Sequence, residues 1–135
     1  MTLTDAGPLI ALIDRADADH DRCVTALDGI SSPLITTWPS FTEACYLIGD
    51  RAGWSGQAAL WRMVTGESLV IVELTPTGLS RSRTLMEKYR DLPMDLADAT
   101  LVAFAEQQGL HRIFTLDKDF RIYRLKGRRQ FEIVP

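Results

Sequence analysis

Met1-Thr2-Leu3-Thr4-Asp5-Ala6-Gly7-Pro8-Leu9-Ile10-Ala11-Leu12-Ile13 opens the chain. Met1–Thr4 has the makeup of a short strand that ends at Asp5. Gly7 and Pro8 then open an apolar helical run. Proline suits a first helical turn, where its missing N–H would have no intrahelical partner. A strand that passes straight into a helix is half of a βαβ unit, and the same switch recurs downstream. Pro33–Thr37 predicts a second strand, and Pro39 to about Arg51 a helix. Ser68–Leu74 holds Leu-Val-Ile-Val, the unbroken apolar run of a buried parallel strand. Leu79–Tyr89 predicts an amphipathic helix, and Leu96–Gln107 another, halted by Gly109. Arg112–Leu116 and Phe131–Val134 predict the remaining strands. His20–Leu27 and Gln57–Val64 add two helices, with Trp61 and Val64 as packing residues of the second. Strands alternating with helices predict an α/β fold, a central mostly parallel sheet of about four to five strands flanked by helices.

A chain of 135 residues suits one domain spanning residues 1–135, with no internal boundary or repeat. At 46% hydrophobic and 24% charged, it has the balance of a folded protein rather than a disordered one. The apolar run Leu9–Ile13 is too short to span a bilayer, and no basic segment precedes it. The expectation is therefore a cytoplasmic protein with no membrane partner. Cys23 and Cys45 lack zinc or redox spacing and read as small buried hydrophobes. The net charge of −3 is unevenly spread. Arg112, Lys118, Arg121, Arg124, Lys126, Arg128 and Arg129 are opposed locally only by Asp117 and Asp119. Such a basic end can hold a phosphate backbone, or it is simply a solvated surface.

Sheets of this kind bind ligands outside the carboxyl ends of their strands. Asp5 ends the first strand and Asp117 follows Arg112–Leu116, so both are expected at that edge. Glu43 shares a helix face with Leu47, and Asp98 shares a stripe with Leu101, Val102 and Ala105. A carboxylate on an apolar stripe is costly unless a hydrogen bond or cation compensates it, and a hard divalent ion would do so. Each acid also has a structural alternative. Asp5 is placed to cap a helix, Ser40-x-x-Glu43 matches a capping box, Asp95-x-x-Asp98 matches an acidic first turn, and Asp117-Lys118-Asp119 matches a turn. Capping alone, however, does not require four acids to converge on one sheet edge.

Other chemistries have less support. GxxxxGK[ST], GxGxxG, GxSxG and HExxH are all absent. The histidines are His20, in the acidic helix entry Asp17-Ala18-Asp19-His20-Asp21, and His111, in a loop after Gly109-Leu110. Neither is placed to act as a catalytic base.

Four segments in order resemble the acidic motifs of the PIN domain family, and most closely its VapC-type toxins. They are Thr4-Asp5-Ala6-Gly7-Pro8-Leu9-Ile10-Ala11-Leu12, Thr36-Thr37-Trp38-Pro39-Ser40-Phe41-Thr42-Glu43-Ala44, Leu92-Pro93-Met94-Asp95-Leu96-Ala97-Asp98-Ala99 and Ile113-Phe114-Thr115-Leu116-Asp117-Lys118-Asp119-Phe120. The resemblance implies a PIN-like fold and a hydrolase, an endoribonuclease dependent on Mg²⁺ or Mn²⁺. It assigns the metal and catalytic roles to Asp5, Glu43, Asp98 and Asp117. Asp95 and Asp119 are secondary candidates, and Thr4, Thr37 and Thr115 are candidates to orient ligands or water. It also implies an RNA substrate, a homodimer, and an antitoxin whose tail covers the acidic pocket, where an inserted Arg would pair with the carboxylates. Trp38, Trp54 and Trp61 would line an apolar groove for that partner or pack in the core.

Two alternatives stay open on the residues alone. One is another metal phosphoesterase, a DNA nuclease or a phosphatase. Haloacid-dehalogenase-type phosphatases carry a second Asp two residues after the first, where this chain has Gly7. The other is a non-catalytic module with an acidic pocket. Receiver-like domains pair acids near the first strand, which Thr4-Asp5-Ala6 does not.

Overall fold

The structure, a computed structural model, describes residues 1–135 throughout. Strands β1 (Thr2–Thr4), β2 (Leu34–Thr37), β3 (Leu69–Val72), β4 (Arg112–Phe114), β5 (Arg124–Leu125), β6 (Arg129–Gln130) and β7 (Glu132–Val134) are interleaved with five α-helices. These are α1 (Ala6–Ile13), α2 (His20–Leu27), α3 (Trp38–Thr65), α4 (Pro76–Lys88) and α5 (Leu96–Gln108). Five strands form one sheet in the order β3-β2-β1-β4-β7, and every pairing is parallel. Parallel neighbours require crossovers, and α1 to α5 occupy them.

Alternation along the strands divides the apolar residues between the two faces. Leu3, Ile35 and Ile113 pack with Leu101, Val102, Phe104 and Tyr123. Leu34, Leu69 and Phe114 pack with Leu9, Ile10, Phe41, Ile48 and Leu60. Both sheet faces are thus covered, the arrangement that near-continuous apolar strands demand. Cys23 is buried and Cys45 half-buried, and both are free thiols.

Several boundaries differ from the sequence expectations. The segments read as Pro39–Arg51 and Gln57–Val64 abut in α3, where Gly53 breaks the helical geometry at φ 62°, ψ −154°. α4 begins at Pro76 rather than Leu79, because Thr75 Oγ1 accepts the amide of Gly78. β4 ends at Phe114, before Leu116. Thr115 Oγ1 accepts the Asp117 amide at 3.0 Å and Asp117 Oδ1 accepts the Asp119 amide at 2.9 Å, which turns the chain into a 3-10 segment at Lys118–Arg121. The small antiparallel β5–β6 pair has no counterpart in the sequence expectations. Trp61 is only half packed, 38% exposed with its ring edge-on to Phe41. No helix is long and apolar enough to cross a membrane.

Candidate metal centre

The carboxyl end of the sheet is where β1, β2 and β4 hand over to α1, α3 and the 3-10 turn, and there the acids meet. Asp5 is extended (φ −81°, ψ 168°) and links β1 to α1. Its amide donates to the Phe114 carbonyl at 3.0 Å. Its Oδ1 accepts the Ala6 amide at 2.7 Å, and its Oδ2 accepts the Thr115 hydroxyl at 2.9 Å. Asp5 is therefore a helix cap and a member of the acidic cluster at once. Asp98 lies in the first turn of α5, buried, and its Oδ2 accepts the Tyr123 hydroxyl at 2.8 Å. Asp117 is exposed. One carboxylate oxygen from each of Asp5, Asp98 and Asp117 lies within 4.8 Å of the others.

Glu43 is half-buried and lies outside that tight triad. With Asp5, Asp95, Asp98 and Asp117 it lines a pocket of about 300 Å³. The capping box read at Ser40-x-x-Glu43 does not form, because α3 already starts at Trp38 and leaves Glu43 in its second turn. Asp95 caps α5, its Oδ1 accepting the Asp98 amide at 2.8 Å. Asp119 is half-buried and likewise outside the triad.

Of the three threonines named as candidates to orient ligands or water, one contacts the acidic cluster. Thr115 is buried and joins Asp5 to Asp117, donating to one and accepting from the other's amide. Thr37 instead shares a hydrogen bond with Thr100 (2.7 Å), and Thr4 donates to the Thr2 carbonyl. Tyr123 was not visible as a site residue in the sequence. It reaches Asp98 from beyond the 3-10 turn, at a separation that no helical or strand period marks.

Electrostatics follow from burial and crowding. Burial raises the Asp5 carboxyl to about 6; the Thr115 hydroxyl and Ala6 amide oppose this, and the charges of Glu43 and Asp117 add to it. Asp98 is pushed up to about 8 by burial and then by the charge of Asp5, with Tyr123 acting in the other direction. Glu43 and Asp119 are raised too, chiefly by burial, with Asp95 and Asp117 contributing. The Tyr123 hydroxyl is raised by burial and by Asp98, so it stays a donor. A divalent cation is the group that the motif resemblance implies, and the donor set fits one. Several hard carboxylate oxygens converge from separate elements, two are fixed by neighbouring hydroxyls, and no basic side chain is ion-paired to any of them.

The basic C-terminal segment does not act as one surface. Arg112 pairs with Glu132, and Arg124 Nη1 donates to the carbonyls of Arg121, Ile122 and Tyr123. Lys126, Arg128 and Arg129 lie by Gly109, at the far end of α5 from Asp98. Lys118 and Arg121 stand beside Asp117, where Arg22 of α2 joins them.

The PIN domain family profile matches residues 2–125. The chain belongs to the PIN domain family. A ribonuclease of Mycobacterium tuberculosis, VapC26, is 25% identical to this PIN domain over 134 residues, covering 98% of this chain and 99% of the relative. Among solved structures, M. tuberculosis VapC20, a toxin that cleaves the sarcin-ricin loop, superposes with a TM-score of 0.86 at 18% identity and covers the whole of both chains. A toxin–antitoxin complex from Klebsiella pneumoniae gives a TM-score of 0.67 at 19% identity, covering 89% of this chain and 90% of that one. These likenesses confirm the PIN-like architecture.

Proposed function

We propose that this PIN domain is a metal-dependent endoribonuclease and the toxin of a VapBC-type toxin–antitoxin pair. The observation that carries this reading is the triad of Asp5, Asp98 and Asp117, which brings oxygens from three distant segments within 4.8 Å. The family match and the ribonuclease relative support the reaction class.

Asp5 and Asp98 would hold the divalent cation, Mg²⁺ or Mn²⁺, and Asp117 and Glu43 would complete the set directly or through water. When bound, that ion supplies Lewis acidity, a lowered pKa for water and neutralisation of phosphoryl charge. The chain's own residues do the rest. Thr115 and Tyr123 fix the orientation of Asp5 and Asp98, so little reorganisation is needed when the substrate arrives. One of Glu43 and Asp117, both on the pocket wall, orients the attacking water as its base. Asp95 keeps the first turn of α5 intact and so holds Asp98 in place.

An exposed, unpaired RNA loop, whose bases can splay out, suits the open pocket better than a duplex, whose base edges lie in a deep, narrow groove. Because uncontrolled cleavage is toxic, a cognate antitoxin masks the pocket; the K. pneumoniae neighbour is a toxin–antitoxin complex. Cytoplasmic location and a homodimer complete the proposal. Light scattering of the purified protein tests the dimer.

The reaction is tested by incubating RNA, DNA and a small phosphate monoester with the protein and Mg²⁺ or Mn²⁺. RNA cleavage that stops with EDTA, and in Asp5→Ala and Asp98→Asn, is expected. Cleavage unaffected by EDTA or by both substitutions contradicts the mechanism. Turnover of DNA or the monoester in preference to RNA moves the chain to another class of phosphoesterase.

A further inference from the structure

Glu43, Leu47 and Arg51 follow one another at four-residue steps on α3, and all three line the acidic pocket. Arg51 is the one basic side chain among the residues lining it. It pairs with none of the four site carboxylates. Its Nη1 is held instead by Asp17 Oδ2 at 2.7 Å and Asp14 Oδ2 at 3.7 Å, both beyond the end of α1. Asp17 is itself fixed, since its Oδ1 accepts the Asp19 amide at 2.8 Å. Nε and Nη2 of Arg51 are left without a protein acceptor, and the side chain is about half exposed, at 47%. The acidic loop Asp14–Asp19 carries no metal cluster; its Asp14 and Asp17 anchor a guanidinium at the pocket rim. Gly53, two residues on, breaks the helical geometry of α3, and Arg51 is the last α3 residue that lines the pocket.

We infer that Arg51 is a phosphate-binding residue of the substrate site, anchored by Asp14 and Asp17 and engaging an RNA phosphate that flanks the scissile one. The inference rests on the nuclease reading above. The helix rise places Arg51 two turns, about 12 Å of axis, from Glu43. A guanidinium held by one nitrogen keeps donors free for a phosphate and forms charge-assisted hydrogen bonds with it.

The test uses the full chain carrying Asp98→Asn, to suppress cleavage, with a fluorescent single-stranded RNA of degenerate sequence as probe. Binding is followed by anisotropy over a range of salt. Adding Arg51→Gln is expected to weaken binding about tenfold, the size of one lost charge-assisted contact. The slope of log affinity against log salt should fall by about 0.7, one phosphate contact on a single strand. Arg51→Lys should keep that slope, which also shows that the position tolerates substitution. Arg83→Gln, an equal charge loss on the exposed face of α4, should leave slope and affinity unchanged. Unchanged binding in Arg51→Gln, or equal losses in Arg51→Gln and Arg83→Gln, overturns the inference while metal-dependent RNA cleavage by the parent chain stands. If the parent chain neither binds nor cleaves RNA, the nuclease reading fails and the inference fails with it.

Discussion

Tyr123 shows what a single hydroxyl does in this site. It is fully buried, stacked edge-on against Tyr89 and Phe120, and its donor goes to Asp98. Because the bond stabilises the charged carboxylate, Tyr123→Phe should raise the Asp98 pKa further and cost about 1 kcal/mol of stability. The acid limb of the pH–rate profile should move to higher pH; an unmoved limb would show that Asp98 does not need this donor. At this scale the sequence was partly legible. Asp5 and Asp98 betrayed themselves as acids in apolar stripes or at a strand end, and Thr115 by its place beside Asp117. The Tyr123–Asp98 contact and the position of Arg51 on the pocket wall gave no such signal, because they depend on how a 3-10 turn and a kinked helix are placed in space.

Among the elements, α5 and α3 carry the most information. Asp95 caps α5 through the Asp98 amide. Asp95→Ala should therefore cost about 1 kcal/mol in thermal or denaturant unfolding, whereas Asp95→Asn, an equally good cap, should be nearly neutral. A large loss in Asp95→Asn would mean that the charge, not the cap, is what α5 needs. In α3, Gly53 adopts a backbone region that is essentially restricted to glycine, and a Cβ there would meet nothing within 4 Å. Gly53→Ala should then destabilise by about 1–3 kcal/mol through backbone strain alone. The order and type of the main elements could be read from the sequence, since apolar runs of period two or 3.6 survive in any surroundings. Their ends could not, because a side chain such as Thr75 decides them locally. The β5–β6 pair was invisible, having no apolar alternation at two residues per strand.

For the molecule as a whole, two packed layers hold a sheet whose carboxyl edge is an acidic cluster, and folding must tolerate that cluster. Asp5 and Asp98 have native pKa values near 6 and 8 against ordinary values of 3.8. Between those values the folded chain binds protons that the unfolded chain has released, so stability falls as pH rises. The metal-free protein should melt higher at pH 5.5 than at pH 8, and added Mn²⁺ should raise the melting temperature more at pH 8. A flat pH response without metal would mean that these carboxylates are not buried and crowded as the fold places them. The most direct test is calorimetric titration of Mn²⁺ into the wild-type chain and into Asp5→Asn and Asp98→Asn at pH 8. Saturable binding by the wild type, lost or weakened at least about tenfold in each variant, is the predicted result, the size expected on removing one charged ligand. Equal binding by all three proteins would contradict the account.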